Sequence, residues 1–180
     1  MSLKHQFELL AAYNQWMNST LYEAAGQLSA AELAKDRGAF FGSVLGTLNH
    51  ILVGDILWLK RFATDPASLD ALRPVAELQA PTRLDQTLHD DLGCLAEQRI
   101  WLDRLIINWI AGLSDKDLGG LLSYRNTKGV PANKRYSSLI LHFFNHQTHH
   151  RGQVSALLSQ AGVGIGVTDL LALIPEETPA

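Results

Sequence analysis

Four of the seven histidines in this chain fall within nine residues: His142, His146, His149 and His150. Imidazole binds metals and titrates near neutral pH, so such a cluster points to metal binding or proton transfer. On a helix, residues four apart share a face about 6 Å from one another. His146 and His150 form such a pair, and so do His142 and His146. Two imidazoles on successive turns can share one divalent ion, with a third ligand supplied by a facing helix. His50 is the candidate third ligand, since Leu48, Ile51 and Leu52 flank it and it falls near an apolar stripe. A lone histidine on a helix is more often a hydrogen-bonded core or surface group, so the i,i+4 clustering carries the metal reading. Three histidines leave at least one coordination position open, the arrangement used in catalysis. Zinc would lower the pKa of a bound water to about 7, and nickel, iron, cobalt or manganese are the other divalent candidates. The spacing leaves His142 as a rival to His150, while His149 points about 100° away from His150. His5 and His89 lie among polar residues and read as surface positions.

No acidic residue stands beside the histidine pair to serve as acid or base, so no catalytic residue is assigned. Asp55 follows His50 by five residues, about 140° around a helix, and is a poor direct ligand. It is expected instead to pair with Arg37, Arg61 or Arg151. Tyr13, Trp16, Asn49 and Asn145 are candidates to line a pocket, although aromatics at helical spacing are more often core. Arg151-Gly152-Gln153 could orient an anionic substrate, or Gly152 could simply permit close helix packing. Cys94, among Leu92, Leu95 and Ala96, reads as buried filler rather than a nucleophile, because no basic group flanks it on the helix.

The elements that must position these groups are mostly helical. Leu3, Phe7, Leu10, Tyr13, Met17 and Leu21 recur every three or four residues and predict a first helix ending near Gly26. Ser29-x-x-Glu32 offers a capping box for a short helical turn. Asp36 to Gly42 reads as a loop, and Ser43 caps a second long helix through about Phe62. Residues 63–81, with Pro66, Pro74 and Pro81, read as a long surface connection. Thr82 is expected to cap a third helix through about Gly112, the longest of the set. The helical period then disappears from Asp117 to Arg135, where two short strands flank Thr127-Lys128-Gly129-Val130-Pro131. Ser137 or Ser138 is expected to cap the fourth helix, which Gly162 terminates. The apolar tail Asp169 to Pro175 is expected to dock on the rest. Four long helices with one long crossover describe an all-α four-helix bundle carrying a short β-hairpin between helices three and four. A faint repeat, Leu28-Ser29-x-x-Glu32-Leu33 against Leu113-Ser114-x-x-Asp117-Leu118, hints that His50 and His146 occupy corresponding positions.

At 180 residues the chain fits one domain, expected over 1–180. Its apolar fraction of 47% suits a packed core. Fifteen basic against eighteen acidic residues give −3, so there is no basic surplus to hold nucleic acid. A lone cysteine excludes an internal disulfide framework and suits a reducing cytoplasm. No signal peptide or membrane-spanning run is read, so a soluble cytoplasmic protein is expected.

Thr47-Leu48-Asn49-His50-Ile51, Asp55-Ile56-Leu57-Trp58-Leu59 and His146-Gln147-Thr148-His149-His150-Arg151-Gly152-Gln153 together resemble the DinB (damage-inducible) superfamily. Arg37 to Phe41, Tyr124-Arg125-Asn126 and the Asp169-Leu170-Leu171 tail fit the same pattern, so the similarity spans nearly the whole chain. The resemblance implies a bundle with up-down-down-up topology and a divalent metal on three histidines, which correspond here to His50, His146 and His150. His142 and His149 match no ligand position in that pattern. It also implies a homodimer. For activity it implies either a metal-dependent hydrolase or a transferase using a low-molecular-weight thiol; a non-catalytic stress-response module is the alternative. The family name denotes induction by DNA damage and implies no nucleic-acid partner.

Overall fold

In the computed structural model, which describes residues 2–176, each helix starts and stops for identifiable local reasons. Ser2 opens α1 (Leu3–Ala25) by accepting the His5 amide at 3.3 Å. Ser29 opens the short α2 (Ala30–Ala34) by accepting the Glu32 amide. The reciprocal half of the expected capping box is missing, because the Glu32 carboxylate turns to Lys35 and Arg37. A complete box instead opens α6 (Asp115–Leu118), between Ser114 and Asp117. Ser43 caps α3 (Val44–Phe62) through the Gly46 amide at 3.0 Å.

Two expectations about the central connection are overturned. Residues 63–81 are not merely a surface connection, since they contain α4 (Leu69–Ala76) with Pro74 inside it. Burial outweighs the proline here: Leu72 and Val75 are fully buried, and proline removes only one amide from a short helix. The next helix, α5 (Leu92–Gly112), starts ten residues after Thr82, with the Asp91 carboxylate accepting the Cys94 amide at 3.0 Å. The segment before it is irregular because its backbone groups are used elsewhere. Asn49 Oδ1 accepts from the Leu88 and His89 amides, and Asn49 Nδ2 donates to the His89 carbonyl at 2.9 Å. Late initiation also leaves α5 shorter than α1 and α7.

Strands β1 (Leu121–Arg125) and β2 (Pro131–Arg135) form an antiparallel hairpin between α6 and α7 (Tyr136–Gln160). No serine caps α7; β2 runs straight into it, and the Gly120 carbonyl takes the Tyr136 amide at 3.0 Å. At the far end Gly162, at φ 82°, donates to Ser159 while Val163 donates to Leu158, closing the exposed carbonyls of the last turn. A 3-10 turn (Leu170–Leu173) packs against the core, and Tyr13 fastens this tail by donating to the Thr168 carbonyl at 2.6 Å.

The chain is thus mostly helical, with a small two-stranded antiparallel sheet. Leu21 of α1, Leu52 and Leu59 of α3, Leu102 and Ile106 of α5, and Phe143 and Val154 of α7 belong to one apolar core. Among the described residues, no helix is long and apolar enough to cross a membrane.

Candidate metal centre

Helices α3 and α7 pack so that His50 faces the stripe carrying His146 and His150. One ring nitrogen from each lies within 4.8 Å of the others. His50 is buried, while His146 and His150 are half-buried at the rim. His142 and His149 stay outside this set. The His142 ring packs edge-on against Trp58 at 5.1 Å, and His149 is exposed. His89 is half-buried against Gln98 rather than a free surface group.

Hydrogen bonds decide which nitrogens are available. His50 Nδ1 donates to the Leu84 carbonyl at 2.8 Å, and His150 Nδ1 donates to Gln153 Oε1 at 2.8 Å. With Nδ1 protonated in both rings, each neutral Nε2 presents a lone pair, and the two Nε2 atoms are 3.2 Å apart. Lone pairs at that distance repel unless a cation or a proton sits between them. Nitrogens sharing a tetrahedral ion at about 2.0–2.1 Å would stand roughly 3.3 Å apart, so the spacing fits a common metal. Burial lowers the pKa of all three rings. For His146, burial and then the neighbouring imidazoles push it down to about 3. The rings are therefore neutral near pH 7, the form that binds metal.

The surroundings of the triad are aromatic and close. Gly38 (φ 71°) and Gly42 (φ 74°) shape the turn that lays Phe41 flat on His50, with centroids 3.7 Å apart and planes 16° apart. That turn presses on α3 at Gly46, where a Cβ would lie 2.2 Å from the Phe41 carbonyl. At Gly54 a Cβ would lie 2.8 Å from His146 Cε1, so this glycine makes room for the ring. A second polar cluster lies on the other side of the same helices. Asp55, fully buried, pairs with Arg99 and accepts from Gln147 Nε2 at 2.7 Å. Arg99 also pairs with Asp103 at 2.9 Å, and Asp103 accepts from Asn14 and Asn18.

Several expected roles change accordingly. Asp55 pairs with Arg99, not with Arg37, Arg61 or Arg151, because α5 supplies the facing cation. Arg151 is buried and turns to Asn14, Gln147 and Thr148 rather than to a substrate. Gly152 is exposed with open space around its would-be Cβ, so it does not serve close packing. Tyr13 and Trp16 belong to other faces of α1, and Asn145 is exposed. Asn49 alone of the four pocket candidates matters to the triad, by holding the segment that carries Leu84. Cys94 is exposed rather than buried, and slight desolvation by its neighbours, followed by the Asp91 carboxylate, raises its thiol pKa. Sequence reasoning missed Gln153 as a support for His150. The available signal was its position three residues on, within reach on the same helical face.

The chain is similar to known proteins. The DinB family model matches residues 1–178. Protein DinB of Bacillus subtilis is 27% identical over 161 residues, covering 89% of this chain and 88% of that protein. The crystal structure of a DinB-like protein from Bacillus cereus superposes with a TM-score of 0.55 at 18% identity, covering 84% of this chain and 89% of that one. The folds therefore agree although the two sequences have diverged widely. With the family model matched along almost its full length, the chain belongs to the DinB family.

Proposed function

We propose that this protein is a metal-dependent enzyme in which His50, His146 and His150 hold one divalent ion, zinc or nickel foremost. The supporting observation is the 3.2 Å approach of His50 Nε2 to His150 Nε2 while both Nδ1 atoms are turned to oxygen acceptors, a geometry that asks for a shared cation. A divalent ion held there supplies a Lewis acid that lowers the pKa of a coordinated water or low-molecular-weight thiol. The reaction is therefore hydrolysis or thiol transfer on a small molecule. The chain's own residues prepare the site. Leu84 and Gln153 hold the tautomers of His50 and His150, and Phe41 covers one face of His50 against water. The same reading includes a single domain with an up-down-down-up four-helix bundle, cytoplasmic and paired as a homodimer.

The test is bound metal, measured by inductively coupled plasma mass spectrometry on untagged wild type, His50→Ala and His146→Ala. Near-stoichiometric metal in wild type, lost in both variants, supports the triad and licenses screening of thiol transfer and hydrolysis. No uptake after incubation with zinc, nickel and manganese would overturn it. One observation favours a second reading: the triad contains no carboxylate, and the rings packed against it are Phe41 and the further imidazoles His142 and His149. In that reading the ion only fastens α3 to α7. Chelation would then lower the melting temperature and remove no activity.

A further inference from the structure

Beyond the triad, the C-terminal half of α3 and the hairpin enclose a cleft of about 410 Å³. Lys60, Arg61, Arg83 and Arg125 line it, and no carboxylate does. In a chain of net charge −3 this is a marked local excess of positive charge. Three of the four cations are already engaged. Lys60 donates to the Ala76 carbonyl at 2.7 Å, Arg83 forks onto Asp85 at 2.8 and 2.6 Å, and Arg125 donates to the Gly129 carbonyl at 2.8 Å. Arg61 differs from them. Its guanidinium carbon lies 4.6 Å from the Trp58 ring centroid and 5.5 Å from that of Tyr124. Among the described residues no carboxylate pairs with it. Stacking engages the faces of a guanidinium and leaves its in-plane N–H fork for a ligand. Partial burial disfavours its charged form, a cost that a bound anion would relieve.

We propose that this cleft binds the carboxylate or phosphate group of a small molecule, with Arg61 as the principal contact. The cleft volume is of the size that small-molecule sites occupy. A cation–π clasp with only a structural role would need neither the cavity nor the two further cations, Lys60 and Arg125, whose charge no carboxylate balances. The position of the cleft relates it to the triad. His50, Gly54, Leu57 and Arg61 follow one another at helical spacing along α3, and helical side chains lean toward the N-terminus, here toward His50. Leu84 lines the cleft and its carbonyl holds His50. His142 bridges from Trp58 to His146, with centroids 5.1 and 6.2 Å away. A molecule gripped at Arg61 thus extends toward the metal ligands. As a substrate assignment this rests on the metal-enzyme reading; as a binding site it stands apart from it.

Isothermal titration calorimetry at low ionic strength tests the proposal, with inorganic phosphate and succinate as separate probes. The proteins are wild type, Arg61→Gln, Arg61→Lys and Arg125→Gln, each after incubation with zinc, and metal-free His50→Ala. Saturable binding of at least one probe is expected, weakened about tenfold in Arg61→Gln and less in Arg61→Lys, which keeps the charge without the fork. Binding of phosphate alone or of succinate alone identifies the group. His50→Ala should keep the wild-type anion affinity, which separates the cleft from the triad whether or not wild type takes up metal. Absence of saturable binding by both probes would overturn the proposal. So would binding lost in His50→Ala yet unchanged in Arg61→Gln, which would put the anion on the metal. Should Arg61→Gln fail to fold, Arg125→Gln reads the same cleft; about threefold weakening is expected, and wild-type affinity in both Arg125→Gln and Arg61→Lys would overturn it.

Discussion

Helices α3 and α7 each carry two kinds of polar residue side by side, and the two kinds have opposite fates. On α7, His146 and His150 run along one stripe, while Gln147 and Arg151, each one residue further on, run along the next. On α3, His50 serves the first stripe and Asp55 the second. The second stripe is closed. Asp55 and Asp103 balance Arg99 and Arg151 in formal charge, and all four carboxylate oxygens accept hydrogen bonds. The first stripe is open, with rings whose pKa values are lowered by burial and with the Nε2 atoms of His50 and His150 facing one another at 3.2 Å. Equal i,i+4 spacing therefore produces a charge-balanced core cluster on one side and a set of facing imidazole nitrogens on the other. What differs is the facing helix: α5 brings Arg99 and Asp103 to one stripe, whereas α3 brings only another imidazole to the other.

The largest expected effect breaks the closed side. Arg99→Met leaves Asp55 and Asp103 buried without their cation, and stability should fall by about 3–5 kcal/mol in a denaturant titration. If the two stripes are separate units, the protein that remains folded should still take up metal. Next comes the open side. Gly54→Ala pushes the His146 ring aside and should weaken metal affinity toward the upper end of a roughly 10–100-fold range, with little change in metal-free stability. Gln153→Ala removes the partner that fixes the His150 tautomer and should cost about tenfold in the same competition assay.

A pH series sharpens the contrast more gently. The three imidazoles have folded-state pKa values below the unfolded value of about 6.5. Between those values the unfolded chain binds more protons, so metal-free stability should decline as pH falls below about 6.5 and hold steady above it. The decline should be shallower in His146→Ala, and an equal slope would place its origin elsewhere. Cys94→Ser, at an exposed position in the first turn of α5, should change stability by less than about 0.5 kcal/mol.

Local patterns explain what could be read in advance. The extent of α1 follows from its apolar period and that of α3 from its period and the Ser43 cap, and the His146–His150 pair is a property of one helix. His50 needed its apolar neighbours and the family resemblance, because which helix faces α7 is not a local property. The same reason hid the partner of Asp55, which depends on the orientation of α5. Helix α4 was obscured by Pro74, whose cost is offset by burying Leu72 and Val75, a tertiary effect invisible in a window of sequence. The late start of α5 has a similar origin: Thr82 is an adequate cap, but Asn49 and His50 on another helix claim the backbone groups that follow it. Gln153 went unrecognised as a support because glutamine three residues from a histidine is also the composition of an ordinary wet surface.

The support of His50 by the Leu84 carbonyl carries a consequence for how such a protein tolerates mutation. A main-chain oxygen is present whichever residue occupies position 84, so substitutions there leave the acceptor intact so long as the backbone keeps its course. Metal affinity should be insensitive to the identity of that residue and sensitive to the length of the segment carrying it. Inserting or deleting one residue between Pro81 and Leu88 would withdraw the oxygen while altering no ligand. Half of the arrangement that orients His50 is thus encoded as chain path, a quantity on which point mutation has little purchase.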